Sequence, residues 1–187
     1  TLGMPNDPVA AVQLPAAGIA TRAIEPIGLG KVNGRYFCFH TGVGFDAAVV
    51  ERVEQRGSWK RWLGHPLFIW AGITTWLTGY DRSTPHFQVI GDGATGPIDG
   101  YFTIVLNTSP YTYLGNRPLD LSPAATLDRG LVAITFTTMS SVAILSSLAG
   151  ALRGGGVKPA AHLDVREDVS HLVVQHDTPF PYQVDGD

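Results

Sequence analysis

Short apolar runs separated by turn-forming residues dominate most of the chain after position 23. The pair Asn33-Gly34 tolerates positive φ at both positions and predicts a hairpin between a strand over 23–30 and a returning strand over 36–41. Residues 111–126 are rich in Gly, Asn and Pro, which predicts a long loop. Further strands are predicted over 86–90, 101–107, 131–137, 161–166, 170–175 and 182–184.

Helical patterns are fewer than strand patterns. They predict a short helix over 9–14, a helix over 47–56 that Asp46 can cap, an aromatic-rich helical region over 59–80 and an amphipathic helix over 139–152. In the last of these Val142, Leu145, Leu148 and Leu152 recur at helical spacing. The pattern as a whole predicts an α+β domain: a strand-rich, two-layer β-sandwich-like structure with helices at its edge.

Composition narrows the classes of function. The chain has 187 residues, 44% of them hydrophobic and 16% charged, which suits one globular domain. A net charge of −3 without a basic block argues against nucleic-acid binding. Cys38 is the only cysteine, so an internal disulfide and a multi-cysteine metal site are excluded and a cytoplasmic location is expected. The most apolar stretch, over 62–77, is too short and too interrupted for a membrane span.

Four segments carry information beyond this pattern. They are Leu-Gly-Met-Pro at 2–5, Val-Asn-Gly-Arg-Tyr-Phe at 32–37 leading into Gly-Val-Gly-Phe-Asp at 42–46, the stretch from Leu-Gly-Asn-Arg-Pro at 114–118 to Pro-Ala-Ala-Thr-Leu-Asp-Arg-Gly-Leu at 123–131, and Val-Asp-Gly-Asp at 184–187. In this order and spacing they resemble the C-terminal half of the diacylglycerol kinase catalytic family, which includes bacterial lipid kinases and sphingosine kinases. The family's Gly-Gly-Asp-Gly-Thr signature for the nucleotide phosphates is not among these residues.

The resemblance implies a division of the chain and a function. Residues 1–20 would be the tail of a preceding nucleotide lobe or its linker, and residues 21–187 a lipid-binding C-terminal lobe truncated at its end. The intact parent would use Mg²⁺ and ATP to phosphorylate a hydroxyl of a diacylglycerol-like or sphingoid lipid. This chain alone, without the ATP-binding half, is expected to be inactive. Its partners would be the lipid, the missing lobe and, transiently, a membrane surface at the cytoplasmic side, with a homodimer left open.

The resemblance also assigns roles to individual residues. The family's Asp-Gly-Glu motif falls on 185–187, which makes Asp187 the predicted proton acceptor for the lipid hydroxyl and Asp185 the next candidate. Read locally, the same Asp-Gly pair is only a turn. The family's structural metal loop places two carbonyl ligands at Thr126 and Leu131, but its ligand Asp falls on Arg129.

An arginine cannot ligate a cation, so the metal is expected to be absent, unless the adjacent Asp128 rotates in. Arg129 would then supply the positive charge of the missing ion.

Three further residues are candidates for contact with the substrate. Gly44 lies in a Gly-x-Gly turn that also fits a dinucleotide fingerprint, although no acidic residue follows a second strand as that motif requires. Asp46, beside it, is predicted to cap a helix and to reach the cleft. Trp70, in the aromatic-rich region, is predicted to line an acyl pocket or face a membrane.

Two rival functions stay open from the sequence. One is a catalytically degraded module that still binds lipid, which the arginine in the metal loop favours. The other is a nucleotide kinase of similar two-lobe architecture, such as an NAD-kinase-like enzyme, which would need a polar pocket in place of an apolar one.

Overall fold

The computed structural model describes residues 4–5, 7–45, 47–49, 81–92, 96–114 and 116–186. In these ranges the elements, in chain order, are α1 (Pro8–Ala20), β1 (Gly30–Val32), β2 (Arg35–Phe37), β3 (His40–Gly44), β4 (Phe87–Gly91), β5 (Ile98–Gly100), β6 (Phe102–Leu106), β7 (Thr112–Leu114), β8 (Arg117–Leu119), β9 (Leu131–Phe136), α2 (Ser141–Leu152), β10 (Leu163–Val169), β11 (Leu172–Gln175) and β12 (Tyr182–Val184).

Antiparallel pairing organises these strands into sheets. The largest has the order β10-β9-β6-β3-β12, a second has the order β11-β4-β5, and β1-β2 and β7-β8 form two-stranded ribbons. The structure thereby confirms the predicted strand-rich α+β class. It also confirms the hairpin at Asn33-Gly34, where both residues adopt positive φ, although its first strand covers Gly30–Val32 and not the predicted 23–30.

The central strand β6 shows how the layers pack. All five of its residues are buried, because both faces of the large sheet are covered. Phe102, Ile104 and Leu106 join a core that also contains residues from α2 and the 119–125 segment. On the opposite face, Val43 of β3 packs against Phe87 and Val89 of β4, which places the three-stranded sheet on that side.

Two local predictions differ from the structure for identifiable reasons. The strand predicted over 36–41 is interrupted at Cys38 and Phe39, whose backbone N–H groups are bonded to Asp185. The loop predicted over 111–126 contains the β7-β8 hairpin, in which Leu114 pairs with Arg117 and each strand is three residues long. Such short strands give too few alternations for a period of two to be visible in the sequence.

Helix α2 forms where predicted, but its apolar stripe faces outwards. An amphipathic helix usually turns its large apolar residues to the core, yet Val142 is 78% and Leu145 65% exposed. The buried residues of the helix are small: Ala143, Ser147 and Ala151. Small side chains allow the helix to lie close to the layer beneath it. The helix therefore buries its small residues and leaves its larger apolar residues exposed.

Several helical predictions concern residues outside the described ranges. Phe45 and residues 47–49 are helical, which agrees with the start of the predicted helix over 47–56. The aromatic-rich region over 59–80 lies wholly outside those ranges. Within the described residues, no helix combines the length and apolar character that crossing a membrane requires.

Candidate functional site

One end of the five-stranded sheet gathers most of the segments that the sequence singled out. His40 at the start of β3 pairs with Leu106 at the end of β6, and Val184 at the end of β12 pairs with Thr41. Leu106 also pairs with Val132 near the start of β9. Segments 38–39, 107–111, 126–130 and 185–186 therefore meet at the same end of the sheet.

Asp185 occupies the centre of this arrangement. Its carboxylate accepts hydrogen bonds from the backbone N–H groups of Cys38 at 2.8 Å, Phe39 at 2.9 Å and His40 at 2.9 Å. Its own N–H donates to the carbonyl oxygen of His40 at 3.0 Å. The residue adopts a left-handed φ of 50°. Asp185 therefore joins the end of β12 to the connection between β2 and β3.

Asn107 holds the same connection from the other side. Its Nδ2 donates to the carbonyl oxygens of Gly28 and Cys38, both at 2.9 Å, and its N–H donates to that of Phe39 at 2.8 Å. The side chain is 1% exposed, and its Oδ1 has no hydrogen-bond partner. Sequence reasoning did not single out Asn107, although a polar residue directly after the apolar run of β6 was a usable signal.

A polar wall continues from Asn107 along the chain. The Ser109 hydroxyl donates to Oδ1 of Asp120 at 2.7 Å, and the rings of His40 and Tyr111 stack at a tilt with centroids 4.6 Å apart. All four side chains are half-buried. Sequence reasoning missed them as well, because nothing in their spacing predicts that β3, β6 and β8 bring them together.

The predicted metal loop lies at this end and is held by protein groups. The carbonyl oxygen of Thr126 accepts the N–H of Arg129 at 3.2 Å, and that of Leu127 accepts the N–H of Gly28 at 2.7 Å. A hydrogen bond from the Thr126 hydroxyl holds the pKa of Asp128 below its usual value.

On the far side of the loop, the carboxylate of Asp168 accepts the N–H of Gly130 at 2.9 Å. The loop is therefore tied at four points along its length.

The donor set of this loop does not fit a divalent cation. A hard cation takes six or more oxygen ligands, carboxylates foremost. Here position 129 is an exposed arginine, and the carboxylate of Asp128 already bonds the Thr126 hydroxyl. Within the described ranges, no three His, Cys, Asp or Glu side chains cluster closely enough to hold a metal ion. Leu131, the other predicted carbonyl ligand, begins β9.

The remaining predicted site residues are not gathered here. Gly44 ends β3, so it lies about 13 Å from His40 at the usual rise per residue. It is buried, has a φ of 82°, and donates its N–H to the carbonyl oxygen of Pro181 at 3.1 Å. Asp46, Trp70 and Asp187 lie outside the described residues, so their predicted roles stay predictions.

A cavity of about 550 Å³ opens at the edge of the three-stranded sheet, away from Asp185. Its lining includes Gln88, Asp99 and Asp177 beside Phe87. A lipid pocket would be enclosed and mostly apolar, whereas this cavity is open and carries acidic groups. The Asp185 end of the large sheet, where the predicted motifs meet, is therefore a better candidate for the functional site than this cavity.

Comparisons with known proteins support the fold. Neither the protein-family models nor the curated proteins include a match to this chain. Solved structures do match. Two are each named a "putative diacylglycerol kinase" from Bacillus anthracis str. Sterne; at 17% and 18% identity they superpose with TM-scores of 0.65 and 0.63 over 100% of this chain. A third, named as diacylglycerol kinases from the same organism, matches at 15% identity with a TM-score of 0.59 over 98% of the chain.

The chain spans a little over half the length of these structures, between 53% and 57%. At such low identity the likeness establishes the fold and not the activity. It confirms the predicted resemblance: the chain has the fold of one part of a diacylglycerol kinase-like protein, as expected for a C-terminal half.

Proposed function

We propose that this chain is the lipid-side half of a lipid kinase, which transfers the γ-phosphoryl group of ATP to a hydroxyl of a diacylglycerol-like or sphingoid lipid. The observation that carries the proposal is the anchoring of the Asp185-Gly186 segment at the end of the large sheet. In the family that the chain resembles, this segment leads into the catalytic acidic residue, and the fold is that of the named diacylglycerol kinases.

The chemistry assigned to this chain is proton transfer and positioning. Phosphoryl transfer needs little covalent help from the protein, so an acidic group that accepts the proton of the attacking hydroxyl is its main contribution from the lipid side. Asp187 takes that role in the proposal. ATP and Mg²⁺, held by a nucleotide-binding half, would supply the phosphoryl group and neutralise its charge.

The polar wall next to Asp185 suits a lipid headgroup. The Ser109–Asp120 pair and the phenolic hydroxyl of Tyr111 are donors and acceptors suited to the hydroxyl and ester oxygens of a glycerol backbone. They are half-buried, so a ligand would desolvate them only in part. In this proposal they orient the headgroup while the acyl chains lie elsewhere.

The outer face of α2 offers a surface for the acyl region or the membrane. Val142, Leu145, Leu148 and Leu152 are all exposed, and the helix carries no charged residue. Its C-terminal turn lies beside the polar wall, since the N–H of Asp120 donates to the carbonyl oxygen of Ala151. Peripheral membrane contact, which the sequence placed on Trp70, therefore has a second candidate surface in the described part of the chain.

One rival function has specific support. A module that binds lipid without turning it over would tolerate an arginine in the metal loop and a shorter acidic residue in place of Glu at position 187. This rival predicts lipid binding with no phosphorylated product. An NAD-kinase-like activity predicts product from a nucleotide and none from a lipid.

The test is phosphorylation by the longest natural protein that contains this chain, with ATP, Mg²⁺, a panel of diacylglycerols and sphingoid bases, and NAD for comparison. Asp187→Asn should remove turnover, whereas Asp177→Asn, the same change at an exposed carboxylate, should leave it intact. Turnover that survives in Asp187→Asn would assign the base to another group. Lipid binding without product from the unaltered protein would favour the degraded module.

A further inference from the structure

The carboxylate of Asp185 is already committed to the backbone. Of the roughly four acceptor sites that a carboxylate offers, three hold the N–H groups of Cys38, Phe39 and His40. Bonds from N–H groups to a charged carboxylate are short and strong. If Asp185 accepted a proton from a substrate, it would lose the charge that holds these three donors.

The chain beyond Asp185 is fixed as closely. Asp185 and Gly186 adopt consecutive positive φ angles of 50° and 93°, a conformation that turns the chain sharply. The N–H of Gly186 donates at 2.8 Å to Oε1 of Gln183, a side chain only 2% exposed in β12. The backbone that leads to position 187 is thereby tied both to β12 and, through Asp185, to the connection between β2 and β3.

The anchored connection also contacts the rest of the site. Asn107 bonds the carbonyl oxygens of Cys38 and Phe39, while Asp185 bonds their N–H groups. The same two residues are therefore held through both their N–H groups and their carbonyl oxygens. A shift at Asp185 would move the connection, and with it the polar wall that follows Asn107.

From this geometry we infer that Asp185 is a positioning residue, which holds the turn before position 187 against the β2–β3 connection and does not itself exchange a proton with substrate. The inference rests on the proposed function in one respect only, that the group at position 187 is the base. The anchoring itself is a property of the fold and can be measured without substrate.

The first arm of the test is amide hydrogen exchange on Asp185→Asn in the longest natural protein. An amide side chain keeps one acceptor oxygen but turns an N–H towards one of the three donors. Amide exchange should become about tenfold faster or more at Gly186 and at one or more of the three donors, Cys38, Phe39 and His40. Unchanged exchange at all four amides would overturn the inference, whether or not the protein phosphorylates lipid.

The second arm separates positioning from proton transfer. In Asp185→Asn, kcat should fall about 10- to 100-fold with KM nearly unchanged, and the acid limb of the pH–rate profile should persist because the base is intact. Loss of that limb, together with an active Asp187→Asn, would make Asp185 the base and overturn the inference.

A matched control shows what a purely structural carboxylate does. Asp92 also accepts a backbone N–H, from His171 at 2.9 Å, but it lies at a turn of the three-stranded sheet. Asp92→Asn should lower thermal stability and leave kcat unchanged. If Asp185→Asn behaves in the same way, its role is structural only and the positioning inference fails. Absence of turnover in the unaltered protein would instead refute the proposed function, and the exchange arm would still decide the anchoring.

Discussion

Replacing Asn107 with Asp tests a buried polar residue whose side chain bonds two backbone carbonyl oxygens. The change keeps the shape of the side chain but removes the Nδ2 group, which donates to the carbonyl oxygens of Gly28 and Cys38. A carboxylate oxygen then faces the two carbonyl oxygens, and none of these three atoms can donate a hydrogen bond. Because the side chain is 1% exposed, water cannot easily replace the lost donors.

The magnitude follows from these contacts. A buried polar group that loses its partner costs about 1–3 kcal/mol, and two carbonyl oxygens lose theirs here. Burying a carboxylate without a cation adds to this cost. We therefore expect Asn107→Asp to lower the free energy of unfolding by about 3 kcal/mol or more at pH 8.

The loss of stability in Asn107→Asp should also depend on pH, and it should be larger at higher pH. Burial beside two carbonyl oxygens raises the pKa of the new carboxyl in the folded state, while in the unfolded state it stays near about 3.9. Between these two pKa values the folded protein binds the extra proton, so its stability falls as pH rises. The difference from the unaltered protein should thus be smaller at pH 5 than at pH 8.

Urea unfolding at both pH values measures this, with Asn116→Asp as the control because Asn116 is exposed in the turn of the β7-β8 hairpin. The control should change the free energy of unfolding by less than about 0.5 kcal/mol. If Asn107→Asp costs no more than the control, or costs the same at both pH values, the assignment of Asn107 as a buried double donor is wrong.

Three further predictions concern other parts of the molecule. The hydroxyls of Thr103 and Thr135 bond each other at 3.0 Å in the core. Each single change to Val should therefore lower the free energy of unfolding by about 1–2 kcal/mol, and the double change should lower it by less than the sum of the two. A double-mutant cycle in urea measures this. Leu145 is 65% exposed on α2, and Leu145→Ser should weaken co-sedimentation with diacylglycerol-containing vesicles by about fivefold or more without lowering Tm; unchanged sedimentation would remove α2 from the membrane proposal. The Ser170 hydroxyl lowers the pKa of Asp92 below its ordinary value of 3.8. Asp92 therefore stabilises the fold fully above that pH, and this stabilisation is lost as the pH falls through the folded pKa. The stability difference between Asp92→Asn and the unaltered protein should therefore narrow as the pH falls below about 3.8, and a difference that stays constant down to pH 2 would contradict this.

Part of the candidate site was visible in the sequence, and part was not. The Asp-Gly pair at 185–186 and the loop at 126–131 were found because their residues lie together in the chain and match a family pattern. The structure then placed both at one end of the large sheet. The roles of Asn107 and of the wall around Tyr111 were not found, because each depends on partners in other strands.

The sequence by itself determined the features that depend on neighbouring residues. The hairpin at Asn33-Gly34 follows from the φ angles that these residues tolerate, and β6 and β9 follow from runs that are apolar except for one threonine each. Helix α2 follows from the helical spacing of its apolar residues and from the glycines at 154–156 that come just after it. These are local preferences, which act before any tertiary contact forms.

Only the tertiary structure decided which side of α2 is buried and what Asp185 holds. The helix buries its small residues Ala143, Ser147 and Ala151 and exposes its large apolar ones, which its own spacing cannot indicate. Asp185 bonds a residue 147 positions earlier in the chain, so its partners exist only after β12 has paired with β3. Contacts of this kind are set by strand order and register, which depend on the packing of the whole sheet.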